Sequence, residues 1–243
     1  MKPHVTVLDG RISDDGLALI SPIYTIHTPD EWCQEIRSQN PSWQVELVSV
    51  DRALSGRADM VVNPFGEAYP EEDLSLHTTF TKILDYVRGG GVYVNVAGYP
   101  FWWKANTITG EKTPAGRWEQ QQSNLMFNKP LLPDFLGISP VFPGPSQLGL
   151  TRQEQRDIQR FGEIAGAGGG SDAIIFRPYP ATTQRMIPLL RSDSGQEIVI
   201  GAVPFGAGYF VFAGLEIDRV SRSFAKAVAA VCGWAKYEKN GIH

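Results

Sequence analysis

The chain has 243 residues, 42% of them hydrophobic and 20% charged, with a formal net charge of −4. That is apolar material for one sizeable core, at a length near the upper range for a single domain. The acidic balance and the absence of any Lys/Arg cluster remove the electrostatic grounds for nucleic-acid binding, which requires clustered cations to neutralise phosphates.

The amino-terminal run His4 to Leu8 reads as a strand closed by the turn Asp9-Gly10. No charged segment followed by an apolar stretch precedes it, and no apolar run reaches the ~18 residues of a membrane helix. The expectation is a cytoplasmic protein with no membrane contact. Residues 11–28 read as irregular. Thr28-Pro29-Asp30-Glu31 is a helix start, with Thr at the cap, Pro in the first turn and Glu three residues after the cap. This helix is predicted to run to about Gln39 with Trp32 and Ile36 inward, and Asn40-Pro41 ends it.

Gln44 to Val50 alternates and predicts a second strand, and Ala58 to Asn63 a third, buried on both faces. Asn63 to Pro70 reads as a rigid turn. Leu76 to Arg88 is predicted helical, with Phe80, Ile83, Leu84 and Val87 on one face. Gly89-Gly90-Gly91 breaks it before a strand over Val92 to Val96. Strand–helix–strand alternation implies parallel pairing through right-handed crossovers. Residues 104–170 are rich in Pro, Gly and Gln and are expected to form an irregular insertion over the sheet, with a helix near 151–161. Regular structure returns with strands at 173–176, 186–191, 198–204 and 209–213 and a closing helix at 219–236. No repeat and no domain boundary is visible, so residues 1–243 are expected to form one domain.

Two segments carry a resemblance. One is Ala58 to Asn63 followed by Gly89-Gly90-Gly91-Val92-Tyr93-Val94-Asn95-Val96-Ala97-Gly98, and the other is Gly206-Ala207-Gly208-Tyr209 through Glu216. They resemble the class I glutamine amidotransferase-like superfamily. Within it they are most similar to its non-amidotransferase branches, the trehalose-utilisation-type proteins and the trimerisation domains of some β-galactosidases. The likeness covers about residues 1–100 and 185–236. It implies a flavodoxin-like, mostly parallel sheet flanked by helices. The departures bear on function. Where the family carries a nucleophilic Cys this chain has Ala97-Gly98-Tyr99-Pro100, and where it carries a His-Pro-Glu type sequence this chain has Gly214-Leu215-Glu216. A thiolate mechanism needs both the nucleophile and its base, so glutamine hydrolysis is not expected.

Three constellations could carry other chemistry. Asn63, Glu67 and Tyr69 follow a buried strand and so belong to the carboxyl edge of the sheet, where ligands bind in open α/β folds. Glu67 there suits acid/base work, with Asn63 and Tyr69 orienting a polar ligand; the plainer alternative is a rigid turn with Glu67 solvated or capping a helix. Gly98, Tyr99, Trp102 and Trp103 lie in a loop on the same edge, whose aromatic rings suit stacking on a sugar, packing onto the sheet, or a homo-oligomer interface. Glu216 ends a late strand, and paired with Glu67 it would give the two carboxylates of glycoside chemistry; it could equally pair with an Arg. The four histidines and the two cysteines, Cys33 and Cys232, lack ligand spacing. No metal or cofactor is expected. The expected function is therefore an amidotransferase-like domain without the Cys/His pair, binding a small polar or carbohydrate-related ligand or serving as an assembly module. The alternative is a hydrolase or isomerase of a sugar-like substrate using Glu67 and Glu216.

Overall fold

The computed structural model describes residues 2–22, 28–96, 101, 103–115, 118–119, 127–128, 138–141, 175–178, 187–191 and 198–213. Strands β1 (His4–Leu8), β2 (Gln44–Val48), β3 (Met60–Asn63) and β5 (Val92–Val96) alternate with helices α1 (Pro29–Gln39), α2 (Val50–Ala53) and α3 (Thr78–Arg88). Strand β4 (Ala68–Glu71) leaves this pattern and joins β6 (Trp103–Asn106) and β7 (Lys112–Pro114) in a separate small sheet. The short pair β8 (Trp118–Glu119) and β9 (Phe127–Asn128) follows, then β10 (Ile138–Val141), β11 (Ile175–Pro178), β12 (Ile187–Arg191), β13 (Ile198–Phe205) and β14 (Gly208–Ala213).

The main sheet has the order β10-β11-β13-β14-β5-β3-β1-β2, with β12 also paired to β13. Its body, β2-β1-β3-β5-β14, is parallel throughout, and an antiparallel extension begins at the β13–β14 hairpin. This is the mostly parallel α/β fold expected, in the flavodoxin-like strand order.

Both faces of the parallel body are covered, which is why its strands read as continuous apolar runs. Helix α1 lies against β1 and β2 and buries Trp32 and Ile36 completely. It begins in a full capping box: the Thr28 hydroxyl accepts from the Glu31 amide at 3.2 Å, and the Glu31 carboxylate accepts from the Thr28 amide at 2.6 Å. The other face packs Phe80, Ile83 and Val87 of α3 and Val50 and Ala53 of α2 onto Val61, Tyr93, Phe210 and Phe212. The edge strand β2 is guarded, since Arg37 donates to the Val45 carbonyl at 2.8 Å and Glu46 pairs with Arg52 at 2.7 Å.

Four expectations are corrected. The stretch Asn63 to Pro70 is not turn throughout, because Ala68–Glu71 pairs parallel with Trp103–Asn106. For the same reason irregular structure does not begin at 104: β6 and β7 form a regular antiparallel pair. Short strands with ordinary composition become visible only once a partner is available to satisfy their backbone groups. Residues 50–53 form the unexpected short helix α2, and α3 starts at Thr78 rather than Leu76. The helices expected at 151–161 and 219–236 lie outside the described residues.

Candidate functional site

The carboxyl ends of β3 and β5 meet at two asparagines. Asn63 and Asn95 are register partners, and neither has any exposed surface. Asn63 Nδ2 donates to Asn95 Oδ1 and to the Ala68 carbonyl, both at 2.8 Å, and its Oδ1 accepts from the Phe65 amide at 3.3 Å. Asn95 Nδ2 donates to the Gly66 carbonyl at 2.9 Å. The loop 64–67 is thus wound around two side-chain amides, which replace backbone partners that a parallel sheet cannot offer past its edge. Gly66 turns the loop at φ +67°, a conformation that glycine adopts without steric cost.

This loop sets two side chains. Glu67 is buried at the tip, 5% exposed, and its carbonyl accepts from the Trp103 amide at 3.1 Å. Phe65 turns the other way, toward β1. It is 1% exposed, and its ring packs so closely on Gly10 that a Cβ there would lie 3.1 Å from Phe65 Cζ. The chain leaves β1 for β2 on one side and β3 on the other, so this is the topological switch point where ligands of open α/β sheets enter. Here the protein's own phenyl ring occupies that place.

Tyr69 is also fully buried, among Phe80 and Phe101, and its hydroxyl lies 3.3 Å from His77 Nδ1. Phe101 is the hub of this cluster: its ring centroid lies 5.1–6.3 Å from those of Phe80, Tyr93, Tyr69, Phe210 and Phe212. It holds this position at φ +61°, a left-handed conformation unusual for a bulky residue and outweighed by the packing of its ring. The hydroxyl of Tyr93, stacked on Phe101, has no hydrogen-bond partner among the described residues.

Behind Tyr69, on the same face of the small sheet, lie Glu71 and Lys104, both almost fully buried. Glu71 accepts from the Thr79 amide at 2.9 Å, satisfying an open donor in the first turn of α3. Lys104 Nζ donates to the Leu74 and Leu76 carbonyls, and Asn106 Nδ2 donates to the Glu72 carbonyl at 2.6 Å, so β6 straps down the segment 72–77. Burial raises the Glu71 carboxyl above its ordinary value and lowers the Lys104 ammonium below its own. Burial and the Lys104 charge lower His77 as well.

Of the residues singled out in the sequence, Asn63, Glu67 and Tyr69 therefore come together at one edge, with their side chains facing inward. Trp103 is half-buried and packs against the core. Gly98, Tyr99, Trp102 and Glu216 lie outside the described residues. Sequence reasoning passed over Asn95, Phe65 and the Glu71/Lys104 pair. Asn95 carried a usable signal, an amide inside the apolar run Val92-Tyr93-Val94-Asn95-Val96. Among the described residues no group of three His, Cys, Asp or Glu side chains could hold a metal ion, and no helix is long and apolar enough to cross a membrane.

The fold and edge define an open α/β domain of flavodoxin-like strand order with a self-filled switch point. No family model matches the sequence, and a search of curated proteins finds no relative. Solved structures do match. A β-galactosidase from Bacillus circulans sp. alkalophilus superposes with a TM-score of 0.52 at 14% identity, over 98% of this chain and 31% of that one. The polyextremophilic β-galactosidase of Halorubrum lacusprofundi gives 0.50 at 15% identity, over 100% of this chain and 31% of that one. A ThuA-like protein from Bacteroides uniformis gives 0.52 at 8% identity, over 96% and 92% of the two chains. At these identities the likeness is one of fold. The chain spans less than a third of the length of those two β-galactosidases.

Proposed function

We propose that this chain is a non-catalytic amidotransferase-like domain that works as an assembly module in a carbohydrate-related setting. The observation that carries the reading is Phe65, whose buried ring packs against Gly10 at the carboxyl ends of β1 and β3, where ligands of open α/β sheets enter. Three further features support it. The sequence lacks the Cys/His pair, the side chains of Asn63 and Tyr69 serve the protein's own packing, and β-galactosidase chains about three times longer contain a region of the same fold. With Phe101 and Trp103 engaged in the core, Tyr99 and Trp102 are the aromatic residues that this reading assigns to a contact with another subunit.

A second reading rests on Glu67, a buried carboxylate at the same edge. In that reading it is the acid/base or hydroxyl-accepting group of a sugar-like substrate or ligand, with Glu216 as its partner and Tyr99 and Trp102 as stacking surfaces. Two measurements separate the readings. The assembly reading expects no turnover of nitrophenyl glycosides or glutamine, and a solution mass by light scattering that Trp102→Ala changes. Turnover or a sugar-induced thermal shift that Glu67→Gln abolishes would overturn it in favour of the second.

A further inference from the structure

Four large aliphatic side chains are exposed among the described residues: Leu17, Leu19, Leu76 and Ile108, at 49–56% of their full surface. All four lie around the small β4–β6–β7 sheet. Ile108 is on the turn between β6 and β7. Leu19 is tied to that turn, since its amide donates to the Thr107 carbonyl at 2.9 Å, and Leu17 precedes it in the same loop. Leu76 sits on the strap 72–77, which Lys104 and Asn106 hold against β6. Their exposed areas sum to on the order of 400 Å² of aliphatic surface, the size of the largest apolar patch on an ordinary monomer, which is often functional. An interface about 60% apolar around such a core amounts to roughly 650 Å² per partner, near the ~800 Å² of a stable complex.

The charges around the patch choose the partner. Among the described residues of the segments that carry it, the exposed charged side chains are Asp14, Asp15, Glu72, Asp73 and Glu111, all acidic. The cations there are less exposed: Arg11 is drawn to Asp9 at 2.6 Å, Lys104 is buried and Lys112 half-buried. An acidic rim repels a second copy of itself across a two-fold contact and repels an anionic lipid surface, whereas it complements a cationic rim.

We infer that the face formed by Leu17, Leu19, Leu76 and Ile108 docks a different protein, one that presents aliphatic side chains ringed by Lys and Arg. The inference rests on the assembly reading above and names its partner's chemistry. The probes are two fluorescein-labelled 14-residue amphipathic peptides, one of Leu and Lys and one of Leu and Glu, titrated against the full chain by anisotropy. The expected result is saturable binding of the Leu/Lys peptide alone, weakened at least tenfold by L17S/L19S, by I108S, and by E72K/E111K. These are surface changes, and circular dichroism melts of each variant verify that it folds. Equal binding of both peptides, no binding, or binding that these variants leave unchanged would overturn the proposal. Sedimentation velocity supplies the second arm. Self-association that L17S/L19S abolishes would give the face to a second copy, refuting the inference while leaving the assembly reading intact. Flotation with phosphatidylcholine vesicles that depends on Leu17 and Leu19 would give it to a membrane and also refute the inference. A glycosidase activity would instead defeat the assembly reading, whatever the peptides do.

Discussion

Replacing Asn95 by Ala tests the amide pair that holds the carboxyl edge. The substitution removes the acceptor for Asn63 Nδ2 and the donor to the Gly66 carbonyl, both in surroundings with no solvent contact. Asn63 keeps its bond to Ala68, so one amide hydrogen and one carbonyl are left unpaired. Each buried unsatisfied group costs about 1–3 kcal/mol, so the variant is expected to lose roughly 2–6 kcal/mol of stability. That is a large part of the 5–15 kcal/mol typical of a folded domain. For a chain of this length, a loss of about 3 kcal/mol lowers the melting temperature by about 6–12 °C. Urea unfolding followed by tryptophan fluorescence measures it, and the N63A, N95A and N63A/N95A cycle isolates the coupling. The double variant is expected to cost less than the sum of the single ones by about 1 kcal/mol or more, because the two amides share a bond. A loss under 0.5 kcal/mol for N95A, with an unchanged denaturant slope, would refute the claim that these amides hold the loop.

Other substitutions test the packing around this edge. Gly208→Ala is expected to prevent accumulation of folded protein, because its Cβ would collide with the backbone carbonyls of Gly91 and Val87; soluble yield and a melting curve report it. Gly91→Ala would push its methyl into the Tyr86 ring and is expected to destabilise by several degrees in the same assay. Phe101→Ala removes the hub of the aromatic cluster and should cost about 3–5 kcal/mol by urea unfolding, the range for a buried phenyl ring. The raised Glu71 carboxyl makes the folded state bind its proton more tightly than the unfolded state does. Its contribution to stability is therefore complete below pH 4.5, its ordinary value, and is lost as pH rises through the folded value. Glu71→Gln is expected to flatten the fall in melting temperature above pH 4.5, and an unchanged slope would assign that fall to other groups.

The sequence by itself determined the parallel body. Apolar runs at 4–8, 58–63 and 92–96, a capping box at Thr28 and a triple-glycine break at 89–91 are local signals, each enforced by burial or by backbone geometry within a few residues. The carboxyl edge was legible as a location for the same reason, since the strand ends and the order of elements fix it. Tertiary structure decided what that edge contains. Glu67 read as solvated or capping in its plainer form, yet it is buried, because two asparagines 32 residues apart wind its loop inward. Phe65 read as part of a turn and instead fills the switch point, because Gly10 leaves room for its ring. Strands β4 and β6 escaped notice because their hydrogen bonds join residues 68–71 to 103–106, a pairing with no periodic trace in either segment. Contacts made between distant segments are set by which surfaces the sheet brings together, and no window of sequence contains that information.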